Sequence, residues 1–434
     1  MKQLLLGVAQ EIITPKIGGN LYGYAPDVYS ESVHDDLTLT VFAFTCGDLK
    51  AMMISACVGS IGTDVSDSLR QELGKMFEMD ANNIIISATH THSGPNLNTD
   101  NNSGWGQFDQ QYFDSIFHPA LLKTAKNAFS HSEPVRLAIA TGESKVGINR
   151  RELLIENNLS CLGQNPQGCF NPKMILLSFQ NLSGKVTGNM IVYGCHGTCA
   201  GRNHEITRDW SGIMVDALTE HTGGITAFFN GPEGDVGPRL SNGKTTGDIT
   251  YVEELGAIAA NDVLRIYQTI SEFKDATVST SYRALKLPLL PRIPYETAVE
   301  LYEKSDKNSY NITKFISEYY RKVKESYEQG YEEQPYMELP QSIIRIGSVA
   351  FVAFPYELFS EIGMRIDRAV PDLQVLSLAI SNGKGGYFPT QDQLCRGGYE
   401  INYFKHKQIQ CHPDDADYQL IKETLANLET LARE

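Results

Sequence analysis

The stretch Ile84-Ile85-Ile86-Ser87-Ala88-Thr89-His90-Thr91-His92-Ser93-Gly94-Pro95 constrains this chain more than any other. Its first half is apolar and β-branched, as in a strand buried on both faces. Its second half turns polar and ends in Gly-Pro, which breaks the strand. Upstream, Ala51–Cys57 is another apolar strand. Between the two, Asp64–Met79 carries Val65, Leu69, Leu73 and Phe77 at helical spacing. Strand, helix and strand make a crossover with the strands parallel. The open ends of such strands are where α/β sheets bind ligands. Side chains two apart on a strand share a face, so His90 and His92 are expected to look into one pocket.

The alternation continues along the chain. Strands are expected at Gln3–Ile13, Leu37–Cys46, Val135–Thr141, Ile225–Phe229, Thr277–Leu287 and Leu373–Ile380. Met174–Gln180 and Gly188–Tyr193 read as a hairpin, and Ser342–Ala353 as a strand pair turning at Gly347. Val146–Arg151 is expected to prolong the strand before it. Helical spacing covers Tyr112–Ala128, Ser211–Glu220, Val252–Ile270, the residues after Glu357 to Arg368, and the tail from Ala416. Residues 290–340 form a mostly helical surface segment in this reading. The polar, Gly-rich loop Asn96–Gly106 directly follows the two histidines, which makes it a candidate pocket rim. No repeat or low-complexity linker divides the chain, so one α/β domain over residues 1–434 is expected.

Charge narrows the partners. Lys and Arg total 37 against 52 Asp and Glu, a net charge of -15, which argues against nucleic acid. No apolar run approaches the roughly 18 residues of a membrane span. Leu4–Ala9 is too short for a signal core and reads as a first strand, so a cytoplasmic location is the expectation. The eight cysteines are scattered without a CxxC pair, which suits reduced thiols better than zinc fingers or a disulfide framework. Cys161 and Cys169 bracket a Gly/Asn/Pro loop but are expected to stay unpaired. Nothing in the sequence sets an oligomeric state.

Several apolar strands run into groups that can carry chemistry: His90/His92, His196 in Gly194-Cys195-His196-Gly197-Thr198, Glu357, and the turn Asn382–Tyr387. Zinc takes N, O and S donors, and two histidines with one glutamate are a common catalytic set. Taken singly, each residue has a plainer reading. A histidine at a strand end is usually a hydrogen-bonded structural group, and Glu357 alone suits a helix N-terminus.

Together these residues resemble the neutral/alkaline non-lysosomal ceramidase family. The resemblance rests on Thr89-His90-Thr91-His92-Ser93-Gly94-Pro95, His196-Gly197-Thr198, Gly234-Asp235-Val236 with Pro238, Phe354-Pro355 with Glu357, and Gly386-Tyr387 followed by Tyr399-Glu400. The opening Gly7…Ile13-Thr14-Pro15 matches as well, so the likeness runs in order along essentially the whole chain. It implies an α/β layered sandwich of two mixed β-sheets flanked by helices. It also implies a Zn2+ ion held by His90, His196, Glu357 and Tyr387. His92 would lie beside the metal to move a proton or bind the tetrahedral intermediate. Arg150 and Tyr399 would face the oxyanion.

The implied activity is hydrolysis of an N-acyl amide, a ceramide-like N-acylsphingosine or related lipid amide, by attack of zinc-bound water. An amide needs both a polarised carbonyl and an activated nucleophile, and zinc supplies both. Asp209 is a candidate to orient a ligand histidine, with a helix N-cap acid as the alternative. The sequence departs from the family at Gly237, where the well-known members carry a serine sometimes proposed as nucleophile; a seryl acyl-enzyme is impossible there. The C-terminal β-sandwich domain of larger members is not expected within these residues. Two alternatives stand beside this reading: hydrolysis of a smaller N-acyl or ester substrate, and a catalytically silent binding protein with the same fold.

Overall fold

A computed structural model describes residues 2–99, 106–156, 158–305 and 312–431. Three antiparallel strands begin the chain: Leu4–Ile12 (β1), Thr38–Cys46 (β2) and Leu49–Ala56 (β3). A helix, Thr63–Phe77 (α1), then leads to Ile84–Ala88 (β4), which pairs parallel with β3, as the crossover pattern predicts. Helix His118–Ser130 (α2) precedes Glu133–Glu143 (β5), Lys173–Asn181 (β6) and Val186–Tyr193 (β7). Trp210–Thr222 (α3) then crosses to Ile225–Asn230 (β8), parallel to β7. These strands form one mixed sheet in the order β8-β7-β6-β5-β1-β2-β3-β4.

After Ile249–Tyr267 (α4) comes a second mixed sheet, β9-β10-β11-β12, built from Val278–Pro288, Tyr336–Ile346, Val349–Ala353 and Gln374–Leu378. Between β9 and β10 lie helices Tyr295–Lys304 (α5) and Ile312–Glu328 (α6), and the strand resumes at Tyr336. Ser360–Ala369 (α7), Tyr399–His406 (α8) and Ala416–Leu431 (α9) complete the main helices.

Alternation along the strands builds the layers. Phe42 and Phe44 of β2 face the second sheet, in one core with Leu177, Phe179, Ile344, Phe351 and Leu376. Val41 and Ala43 point the other way, onto α1 and α2 through Leu69, Leu73 and Leu121. Helices α3 and α4 cover the rest of that outer face through Met214, Leu218, Leu255 and Val263. Helices α7 and α9 cover the second sheet through Ile362, Ile366, Leu420 and Leu428. The result is four layers, helix–sheet–sheet–helix, with the two mixed sheets face to face.

Three local expectations change. Val146–Arg151 does not prolong β5. The chain turns at Ser144, and Gly147–Asn149 pairs antiparallel with Val236–Pro238 instead. Tyr193 holds this turn, its hydroxyl accepting from Gly147 N at 3.0 Å. Glu357 is not a helix-end acid: it lies in a short strand, Tyr356–Leu358, parallel to Gly386–Phe388, and α7 begins only at Ser360. The helix expected at Tyr112–Ala128 contains a π-helical stretch at Phe113–Phe117, just before α2. Part of the expected rim loop, residues 100–105, lies outside the described residues. Among the described residues no helix is long and apolar enough to cross a membrane. All eight cysteines are unpaired, Cys161 and Cys169 included.

Candidate metal centre

The site lies where the two sheets' strand ends meet. Strand β4 stops at Ala88, so His90 and His92 do not share a face by strand alternation as expected. His90 instead adopts a left-handed backbone, φ +65°. Its main chain is held by Val58 O, and Thr91 bridges to Gly197. The kink still brings the two imidazoles together, with ring centroids 4.8 Å apart and Nε2 atoms at 3.3 Å. The loop of residues 18–32 covers them: Tyr22 packs on both rings and Tyr24 on His92. Gly23, at φ +109°, sits where any Cβ would stand 2.1 Å from His92 Nδ1, so only glycine lets the loop close here.

His196 follows β7 and faces His90 at 5.0 Å between ring centroids. Its Nδ1 lies 2.9 Å from Glu233 O and 3.1 Å from Val236 O, and His90 Nδ1 lies 2.6 Å from Gly59 O. A carbonyl oxygen only accepts. Both Nδ1 atoms therefore carry a proton, and in a neutral ring the Nε2 atom then presents its lone pair. The two Nε2 atoms point at one oxygen of buried Glu357: His196 Nε2 at 3.2 Å and His90 Nε2 at 3.6 Å. Burial and then Arg150 push the His196 pKa down to about 3, which keeps that ring neutral at pH 7. Burial alone would raise Glu357, but Lys384, His90 and His196 outweigh it and hold the carboxyl well below its ordinary range. The Glu357 carboxylate oxygen thus meets the His196 lone pair with no hydrogen between them, an arrangement that a cation resolves. His90, His92 and His196 offer ligand atoms within 4.8 Å of one another, as do His90, Glu233 and Glu357. Nitrogen and oxygen donors of this kind fit zinc.

Around these donors stands a polar wall. Tyr387 pairs with Glu357 across the two short parallel strands, which puts both side chains on one face. Arg150 donates to the Tyr387 hydroxyl at 2.9 Å and to Glu400 at 3.0 Å. Arg151 holds the other Glu400 oxygen at 2.6 Å. The Tyr399 ring stands 5.5 Å from that of Tyr387. His92 is partly exposed, its Nδ1 has no hydrogen-bond partner among the described residues, and burial with His90 and His196 holds its pKa well below the usual histidine value. Lys384 contacts the second Glu357 oxygen at 3.2 Å and donates to the Tyr22 hydroxyl. His90, His92, Arg150, His196, Glu357, Tyr387 and Tyr399, the seven residues that the family resemblance implies, therefore gather at one place.

Asp209 does not touch a histidine. Its carboxylate accepts from Cys199 N, Ala200 N and Trp210 N, which caps α3 and pins the turn after His196. Backbone carbonyls orient the histidines instead. Sequence reasoning passed over Glu233, Lys384, Tyr22 and Glu400. Glu233 and Lys384 lie in Gly-rich turns at strand ends, the same signal that marked His196 and Tyr387. Glu400 is adjacent to Tyr399 in the quoted motif.

A helix–sheet–sheet–helix sandwich with histidines and a glutamate converging at its strand ends defines the class of protein. A family model described as neutral/alkaline non-lysosomal ceramidase, N-terminal, matches residues 4–284, and the chain belongs to that family. Neutral ceramidase of Pseudomonas aeruginosa is 28% identical over 172 residues, 37% of this chain and 25% of that protein. Neutral ceramidase A of Dictyostelium discoideum is 24% identical over 255 residues, 52% of this chain and 35% of that protein. The match thus spans about a quarter to a third of these curated relatives. The crystal structure of the Pseudomonas aeruginosa neutral ceramidase shares the fold, with a TM-score of 0.75 at 19% identity over 99% of this chain and 75% of that one.

Proposed function

We propose that this protein is a zinc-dependent amidohydrolase that splits an N-acyl amide into a carboxylate and an amine. The observation that carries this reading is the convergence of the His90 and His196 Nε2 atoms on one Glu357 oxygen. His90, His196, Glu357 and Tyr387 would hold the ion. When bound, zinc would polarise the scissile carbonyl and lower the pKa of a water towards about 7. Arg150 and Tyr399 hold the carbonyl oxygen as it gains negative charge. Glu400 keeps the Arg150 guanidinium in place. His92, partly exposed, takes the proton given up by the attacking water at its ring nitrogen and passes it to the leaving amine. Tyr22 and Tyr24 pack against the histidine rings and fix their orientation.

No seryl acyl-enzyme forms at position 237, because glycine stands there. The family name and the relatives named neutral ceramidases favour a ceramide-like N-acylsphingosine or related lipid amide as substrate. The inter-sheet core, which joins Leu4 to Leu376, supports reading residues 1–434 as one domain. Eight unpaired cysteines favour a reducing, cytoplasmic setting.

Metal analysis with two variants tests the site. The wild-type protein should hold zinc stoichiometrically. His196→Ala should lose both metal and N-acyl amide hydrolysis. His92→Ala should keep its zinc while the rate falls by about 10²–10⁴. Unchanged zinc in His196→Ala, or none in the wild type, overturns the assignment.

A further inference from the structure

Glu233 is the group that this reading leaves without a task. It lies in the loop between β8 and Val236–Pro238, fully buried, and neither carboxylate oxygen has a hydrogen-bond partner among the described residues. Buried carboxylates are costly unless paired, hydrogen-bonded or coordinated to a metal. The cations nearby are committed elsewhere: Lys384 to Glu357 and Tyr22, Arg150 to Tyr387 and Glu400. Glu233 nevertheless offers a carboxylate oxygen within 4.8 Å of ligand atoms on both His90 and Glu357.

The loop leaves this side chain little freedom. Gly234 N donates to Leu358 O at 2.8 Å, and a Cβ at Gly234 would stand 2.3 Å from Glu357 O. The Glu233 carbonyl accepts from His196 Nδ1 at 2.9 Å. The loop is therefore fastened to both the His196 and the Glu357 segments, and the Glu233 carboxyl is carried to the site by the same contacts that orient them.

We propose that Glu233 is a further carboxylate ligand of the cation held by His90, His196 and Glu357. This rests on the metal-site reading above and extends it. A second carboxylate strengthens divalent binding and moves the donor set towards oxygen, which suits Mn2+ better than a histidine-dominated site would. It also gives a task to a fully buried acidic group that has no hydrogen-bond partner among the described residues.

Glu233→Gln in the full chain tests this, because it keeps the shape and replaces the carboxyl oxygen donor with an amide. Zinc affinity is measured by competition with a chelator, and thermal stability is measured on the metal-stripped protein. A ligand role predicts at least about tenfold weaker zinc binding, the scale on which groups supporting a metal act. It also predicts that stripped Glu233→Gln is about as stable as stripped wild type, since one unpartnered buried polar group replaces another. Glu233→Asp, a carboxyl on a shorter side chain, should bind zinc with an affinity between the two. Wild-type zinc affinity in Glu233→Gln overturns the proposal, as does a loss of stripped-protein stability alongside the weaker binding. A wild-type protein that takes up no zinc overturns the metal-site reading instead.

Discussion

At position 237 an absent side chain decides which chemistry is open. A Cβ built there would stand 2.8 Å from Thr245 Cβ and 3.3 Å from Arg150 Cβ. The space is already filled by Thr245, so a serine cannot be placed there without displacing its neighbours. Gly237→Ser is expected to cost about 1–3 kcal/mol, the usual scale of overpacking, measured by chemical denaturation. Stability equal to wild type would mean that Thr245 yields easily and that the glycine has no packing role. His90 makes a related point. Its left-handed backbone is unusual for a residue with a side chain. It is held by the Val58 and Gly59 carbonyls on one side and by the Thr91–Gly197 bridge on the other.

Between elements, short polar chains fix the histidine turn to its surroundings. Thr91 Oγ1 donates to Thr207 O at 2.7 Å, Thr207 N to Ser93 O at 3.0 Å, and the Thr207 hydroxyl to Asp35. Asp35 also accepts from Arg208 N at 3.0 Å and Arg208 Nε at 2.8 Å, at the entry to α3. Burial alone would raise the Asp35 pKa, but Arg208, His34 and Thr207 outweigh it and lower the value below the ordinary 3.8. A carboxyl depressed on folding stabilises above its unfolded pKa, and that stabilisation is lost as pH falls towards the folded value. Asp35→Asn should therefore lose about 1.5–3 kcal/mol at pH 7, the range for hydrogen bonds to a charged group. The gap to wild type should narrow below about pH 4, near the unfolded aspartate pKa. Denaturation at pH 7 and at pH 3 measures both, and a gap that stays constant would rule out the ionised carboxylate as its source. A different coupling links α6 to the site: Phe315 stacks on Tyr403 of α8 at 4.3 Å, on the helix that carries Tyr399 and Glu400.

For the molecule as a whole, the inter-sheet core matters most. Phe351 of β11 is fully buried among side chains from both sheets, Phe44 and Phe179 among them. Phe351→Ala is expected to cost about 3–5 kcal/mol. It should do so in a single transition that probes in both sheets report together, because one core serves both. Separate transitions for the two sheets would divide the chain into independent units.

Local pattern alone determined the strand and helix succession, the parallel crossover at β3–α1–β4, and the donors at the strand ends. Each of these depends on neighbours in sequence: period-two and period-3.6 spacing, and turn residues that stop a strand. The path of Val146–Arg151 did not follow from its own residues, because its partner, Val236–Pro238, lies far along the chain. Only the tertiary structure decided that Glu357 is a strand residue and that Asp209 caps a helix. It also decided that Glu233 is buried and unpaired, and that Arg150 finds Glu400 across 250 residues. The physical reason is desolvation. An acid in a Gly-rich turn is ordinarily a solvated loop residue. Whether it loses water, and whether a cation or a hydrogen-bond donor replaces that water, depends on side chains that packing brings in from elsewhere.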